Sequence, residues 1–283
     1  MLERYPILSG AESFFFKGNH IGILISHGFI GTPQSVQFLG EYIASQGYTV
    51  YAVRLKGHGT HYEDMERCTY HDWVQSLEEG YRFLQQHCQD IFILGQSMGG
   101  TLTMQLASKY PKIKGVMLIN AAMTTIPVME EFKHKQEPRF IDEGAPDIKT
   151  DDVFEITYTK APIRSIQQLL ALMDDTRRKL TSVTCPKLAF RSEDDHVVPP
   201  ENTDYILAHI HSGIKETITL YNSYHVASMD YERNSLPNNA AYLLKNMLGS
   251  KEERKYPKLD SFIKKTRRLA SSALGRRQRR SPT

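Results

Sequence analysis

At 283 residues, 40% hydrophobic and 24% charged, the chain has an ordinary globular composition with enough apolar material for a sizeable core. Three scattered cysteines, Cys68, Cys88 and Cys185, are too few for a disulfide framework or a metal knuckle, and point to a reducing compartment. No apolar run approaches the ~20 residues of a membrane span. The opening Met1-Leu2-Glu3-Arg4-Tyr5-Pro6 has no basic segment followed by a long apolar one, so a secretory signal is not expected and a cytoplasmic location is.

The net charge of +3 hides an asymmetry. Residues 251–283 hold 12 Lys/Arg against 3 Asp/Glu, leaving 23 against 29 in residues 1–250. A mildly acidic body carries a basic tail, and the two are read separately.

In chain order, Ile21 to Ser26 reads as a short apolar strand. Thr32-Pro33 opens a helix with Thr as its cap, striped by Val36, Leu39 and Ile43 and ended by Gly47. Tyr48 to Leu55 is the next strand. Asp72 caps a helix whose Trp73, Leu77, Tyr81 and Leu84 share one face. Ile91 to Leu94 is a strand, Gly99 to Tyr110 a helix, and Val116 to Ile119 a strand. Ile163 to Leu180 reads as a helix, Leu188 to Phe190 and Thr217 to Leu220 as strands, and Ala240 to Leu248 as the closing helix. Strands alternating with helices predict an α/β fold, a mostly parallel sheet with helices on both faces.

That alternation breaks once. Residues 121–160 are far longer than an ordinary loop, rich in proline and charge, yet carry Ile126, Val128, Met129, Phe132, Phe140, Val153, Phe154 and Ile156. Such a segment predicts a small cap packed over a body formed by 1–120 and 161–250.

The strongest local signal is Gly95-Gln96-Ser97-Met98-Gly99, a G-x-S-x-G pattern between a strand and a helix. A serine on so sharp a turn has its hydroxyl lifted out of the fold, and the following helix turns its positive end toward it. A nucleophilic serine needs a base, and the base an orienting acid. On a strand-to-helix turn these partners are expected later in the chain, acid first and histidine last. The strand 188–190 runs into Arg191-Ser192-Glu193-Asp194-Asp195-His196, where three carboxylates compete. The strand 217–220 runs into Tyr221-Asn222-Ser223-Tyr224-His225. Both loops follow strand ends, where open α/β sheets place their sites. Ser97, an acid among Glu193, Asp194 and Asp195, and His225 therefore stand in the required order. His209 and His211 read as solvated, and His196 is adjacent to the acid rather than a partner for it.

Acyl transfer also needs donors for an oxyanion. The N–H of Met98, after the nucleophile, is one candidate. The other is Phe29 in Ser26-His27-Gly28-Phe29-Ile30-Gly31, a loop after an early strand. His27 reads as a buttress of that loop. Gly57-His58-Gly59 and His61 read as a tight turn beside the site, without metal-ligand spacing.

The runs His27-Gly28-Phe29, Arg54-Leu55-Lys56-Gly57-His58-Gly59-Thr60-His61-Tyr62-Glu63-Asp64-Met65, Gln96-Ser97-Met98-Gly99-Gly100, Asp195-His196-Val197-Val198-Pro199-Pro200 and Asn222-Ser223-Tyr224-His225-Val226-Ala227 resemble the α/β hydrolases, and within them the bacterial monoacylglycerol lipases of bacilli and related small carboxylesterases. The resemblance covers about residues 4–248. It implies the α/β-hydrolase fold, Ser97 as nucleophile, Asp195 as the acid, His225 as the base, and Phe29 and Met98 as oxyanion donors. It further implies that Glu155 in the cap contacts a glycerol moiety. The stretch Asp142 to Asp147 is the least similar part of the cap. No metal or organic cofactor is implied. The expected reaction is hydrolysis of a monoacylglycerol through an acyl-enzyme; the alternatives are a general short- or medium-chain carboxylesterase and a non-catalytic membrane-associated scaffold.

The tail, 251–283, includes Lys264-Lys265, Arg267-Arg268 and Arg276-Arg277-Gln278-Arg279-Arg280, with a weak stripe of Phe262, Ile263, Leu269 and Leu274. It reads as a solvated extension or as a peripheral contact with anionic membrane. Nothing aromatic or groove-shaped supports nucleic-acid binding.

Overall fold

The computed structural model describes residues 2–248, so the basic tail lies outside the described residues. The strands are β1 (Phe14–Phe16), β2 (Ile21–Ser26), β3 (Thr49–Val53), β4 (Asp90–Gln96), β5 (Gly115–Ile119), β6 (Phe140–Asp142), β7 (Lys160–Pro162), β8 (Lys187–Ser192) and β9 (Lys215–Leu220). The helices are α1 (Gln37–Ser45), α2 (Tyr62–Glu66), α3 (Tyr70–Gln85), α4 (Met98–Lys109), α5 (Pro127–Glu130), α6 (Ile163–Arg177), α7 (Glu201–His209) and α8 (Ser235–Leu248).

Seven strands form one sheet in the order β1-β3-β2-β4-β5-β8-β9. Every neighbouring pair is parallel except β1 with β3. The chain steps outward from β2 to β3, then returns across β2 to β4. Ligand sites of open α/β sheets form beside such a reversal, at the carboxyl ends of the strands. Here Ser26 pairs with Gly95, Gln96 with Ile119 and Ser192 with Leu220, so the ends of five strands lie together along one edge.

Strand sequence and burial agree. All residues of β2 and β5 are buried, as expected of strands covered on both faces. Side chains alternate between those faces. Leu24, Ile93, Val116 and Leu118 share a core with Trp73, Leu77 and Leu102 of α3 and α4. On the opposite face α1 approaches so closely that a Cβ on its Gly40 would stand 3.5 Å from Val50 of β3.

Some elements differ from the sequence reading. The segment after Thr32 begins as a single 3₁₀ turn, Pro33–Val36, before α1, and the Thr32 side chain makes no capping bond. Thr69, rather than Asp72, caps α3. Asp72 sits three residues later, and its carboxylate accepts both the Thr69 N–H and hydroxyl at 2.9 Å. The edge strand β1 was not expected, because three consecutive phenylalanines show no alternation. Between β5 and α6 the chain forms α5 and the antiparallel pair β6–β7, separate from the main sheet. Among the described residues no helix is long and apolar enough to cross a membrane.

Candidate active site

Ser97 follows β4 with φ 56° and ψ −122°, a left-handed conformation that costs roughly 1–3 kcal/mol in a non-glycine residue. Four main-chain hydrogen bonds hold it there: its N–H donates to the Ile119 carbonyl (2.9 Å), and its own carbonyl accepts from Gly100 (2.9 Å), Thr101 (3.4 Å) and Ala122 (3.2 Å). A Cβ on Gly99 would stand 2.4 Å from the Ser26 carbonyl oxygen, so only glycine lets α4 start this close to the end of β2.

The Ser97 Oγ lies 2.8 Å from His225 Nε2. On the other side of the ring, Nδ1 lies 2.8 and 3.0 Å from the two Asp195 oxygens. Asp195 Oδ1 also accepts the Val197 and Val198 N–H groups, at 2.9 and 2.8 Å. Of the three competing carboxylates, Asp195 faces the ring, its side chain 1% exposed, while Glu193 and Asp194 are exposed. His225 is 7% exposed. Burial alone would lower its pKa, but the Asp195 carboxylate, assisted by Asp147 and Glu155, outweighs burial and raises it. The alternative histidines lie elsewhere. His209 bonds the Tyr205 carbonyl on α7, His211 is exposed, and His196 contacts Asp147.

The loop after β2 closes on the serine, and a Cβ on Gly28 would lie 3.2 Å from Ser97 Cβ. Among the described residues neither the Phe29 nor the Met98 N–H donates to a protein acceptor. Two donors beside the Ser97 hydroxyl are thus available to a developing oxyanion. His27 is fully buried and fixes this loop: the Leu55 N–H donates to its Nε2 (3.2 Å), which leaves Nδ1 to donate to the Gly28 carbonyl (2.9 Å). Burial, with neighbouring His58, keeps His27 neutral by lowering its pKa well below the usual histidine value. His61 caps α2, its side chain accepting from Glu63 N–H. Among the described residues no three His, Cys, Asp or Glu side chains cluster as metal ligands would.

Ser97 and His225 line a cavity of about 150 Å³. Ile126, Met129, Leu169 and Val197 give it apolar walls, and the segment Glu143–Asp147 contributes part of its lining. Glu155 lines it too, 9% exposed. Gln34 fixes the backbone on both sides of Glu155, donating to the Phe154 carbonyl (2.7 Å) and accepting from Ile156 N–H (3.1 Å). Burial raises the Glu155 carboxyl to a pKa of about 7, against a smaller lowering from His225. A second hollow is lined by Glu3, Arg54, Lys56 and Asp72, where Arg54 pairs with Glu3 and Lys56 with Asp72.

A family described as serine aminopeptidase, S33, matches residues 19–232. The chain belongs to that family of α/β hydrolases. It is 51% identical over 234 residues to a thermostable monoacylglycerol lipase of Bacillus sp. (strain H-257), covering 82% of this chain and 94% of that one. It is 26% identical over 227 residues to a carboxylesterase of Bacillus subtilis (strain 168), covering 78% and 91%. A solved structure of the metagenome-derived lipolytic enzymes LipS and LipT superposes with a TM-score of 0.82 at 37% identity, over 85% of this chain and all of that one.

Within this hydrolase scaffold two polar residues at the site were not anticipated. Asn120, buried and at φ 45°, donates to the His225 carbonyl (2.8 Å) and to Ser192 Oγ (3.0 Å), and accepts the Ser192 N–H (2.8 Å). Its one sequence signal is a lone amide ending an apolar strand. Asp147 reaches the His225 main chain from the segment of least resemblance, and no pattern in the sequence marks it.

Proposed function

We propose that the protein is a serine ester hydrolase that cleaves monoacylglycerols to glycerol and free fatty acid. The observation that carries this is the 2.8 Å contact between Ser97 Oγ and His225 Nε2 in an apolar cavity. The 51% identity to a monoacylglycerol lipase supports the substrate class.

In this reading His225 takes the hydroxyl proton as Ser97 attacks the ester carbonyl. Asp195 orients the imidazole and stabilises its cation, and the N–H groups of Phe29 and Met98 hold the oxyanion. The C–O bond to glycerol breaks, and the glycerol oxygen leaves with the proton from His225. Water then attacks the acyl-enzyme, giving its proton to His225, which returns it to Ser97 as the fatty acid departs. Residues 121–160 serve as a cap sheltering the acyl chain, at ~0.8 kcal/mol per buried methylene. Glu155, with its carboxyl pKa near 7, serves as a hydrogen-bonding group for glycerol hydroxyls. The reaction needs no cofactor.

A second reading is a short- or medium-chain carboxylesterase. The cavity of about 150 Å³ favours it, being smaller than the roughly 300–1,000 Å³ of most small-molecule sites. A non-catalytic scaffold is the third, and a serine-directed fluorophosphonate separates it from both. Labelling at Ser97 is expected, and an unlabelled Ser97 would exclude either hydrolase. The location we propose is cytoplasmic. The charge of the tail supports a peripheral contact with anionic lipid, bringing the enzyme to its amphiphilic substrate.

A further inference from the structure

Asp147 belongs to the segment between β5 and α6, yet its bonds run to the two loops that carry the acid and the base. Its Oδ2 accepts the His225 N–H at 3.1 Å and the His196 N–H at 3.2 Å, and its Oδ1 lies 2.8 Å from His196 Nδ1. Its main-chain carbonyl accepts the Val226 N–H at 3.1 Å. Two residues on, the Lys149 N–H donates to Asp230 Oδ2 (2.8 Å), and that same oxygen accepts the Tyr224 N–H (2.9 Å). Asp147 thus holds the chain at and after His225, and Lys149 shares with Tyr224, the residue before it, the Asp230 carboxylate. Asp147 also holds His196, the neighbour of Asp195.

We propose that Asp147 is a positioning residue for the hydrolysis, a strut from the insertion that locks the His225 loop to the Asp195 loop and so sets the direction of the imidazole. The inference rests on the ester-hydrolase reading. The His225 main chain leaves little freedom once both ends are tied: Asp147 takes its N–H and Asn120 its carbonyl. A small misplacement of a reacting group is costly in rate, because catalysis depends on atoms held near attack distance. The same segment lines the cavity through Gly144, Ala145 and Pro146. The strut that holds the base is therefore continuous with the cavity wall.

Electrostatics adds a second effect of the same group. The titratable and charged groups around His225 are Asp195 on the β8 loop, Asp147 and Glu155 on the insertion, with His196 beyond Asp147 and Lys149 and Asp230 flanking. Burial opposes the imidazolium, and against it Asp195 acts most strongly and Asp147 next. A purely structural tie would not carry that effect.

The test uses the full-length protein with p-nitrophenyl butyrate, from about pH 5 to about pH 9. Asp147→Asn keeps a side-chain carbonyl to accept the N–H bonds but removes the charge; Asp147→Ala removes both. Asp147→Ala is expected to lower kcat about tenfold with KM little changed. Asp147→Asn is expected to recover most of that loss. In both variants the acid limb of kcat/KM should move to lower pH, because imidazolium loses a neighbouring anion. The proposal is overturned if the acid limb stays in place in both variants, or if kcat falls only in proportion to lost thermal stability. Ser97→Ala supplies the background. Hydrolysis surviving in that variant would defeat the ester-hydrolase reading itself, whereas an Asp147→Ala enzyme matching the parent defeats only the strut.

Discussion

The Asn120 side chain donates to the His225 main-chain carbonyl at 2.8 Å, so the residue that follows β5 supports the residue that faces Ser97 from the β9 loop. Replacing Asn120 by alanine strips four hydrogen bonds and leaves a buried carbonyl unsatisfied. A loss of about 1–3 kcal/mol in stability is expected, together with a lower kcat. Asn120→Asp should be worse, since a carboxylate oxygen would face the carbonyl oxygen. Urea unfolding and kcat on the same preparations check this. An alanine variant within about 0.5 kcal/mol of the parent would show the network to be idle.

The pH dependence of kcat/KM should report His225. Only its neutral form can accept the Ser97 proton, and its pKa is raised above the usual 6.5 because the Asp195 carboxylate, with Asp147 and Glu155, outweighs burial. Activity should therefore decline as pH falls through a value above 6.5. Asp195→Asn should move this limb to lower pH and reduce kcat by about 10³–10⁴. A parent limb well below 6.5 would contradict the assigned environment of the ring.

Glu155 sets a different pH dependence, that of stability. The folded protein keeps the Glu155 proton up to about pH 7, whereas the unfolded chain releases it near the ordinary value of 4.5. Folding thus favours proton uptake. The stabilising contribution is complete below 4.5 and is lost as pH rises through about 7, some ~3 kcal/mol in all. Glu155→Gln removes the dependence. The variant should be more stable than the parent at about pH 8, with the advantage vanishing toward pH 4.5 in denaturant titrations. Parallel curves for the two proteins would contradict a buried, protonated carboxyl.

The sequence was informative where chemistry follows an apolar strand. Ser97, His225 and the three carboxylates Glu193, Asp194 and Asp195 each follow such a run, and order along the chain relates serine, acid and histidine without choosing among the acids. The choice of Asp195 over Glu193 and Asp194 came from the family resemblance, because three adjacent carboxylates on one loop are alike in composition and differ only in direction. Asn120 and Asp147 were not legible. Each acts through hydrogen bonds to main-chain groups of His225, 105 and 78 residues away, and main-chain groups leave no trace in side-chain pattern. The same holds for β1, whose three phenylalanines pair as an antiparallel edge only because β3 offers a free side.

The basic tail carries its own prediction. Removing residues 251–283 takes away 12 Lys/Arg and 3 Asp/Glu. Turnover of a soluble ester should be unchanged, while binding to phosphatidylglycerol vesicles weakens and loses its salt dependence. Equal vesicle binding with and without the tail would exclude the membrane contact.

Substrate choice is decided most directly by hydrolysis rates on monolauroylglycerol, p-nitrophenyl butyrate and trilaurin, each with Ser97→Ala as control. We expect the monoglyceride to be preferred, trilaurin to be poor, and all turnover to vanish in the variant. Fast butyrate cleavage with little monoglyceride turnover would contradict the lipase reading and leave a general carboxylesterase in its place.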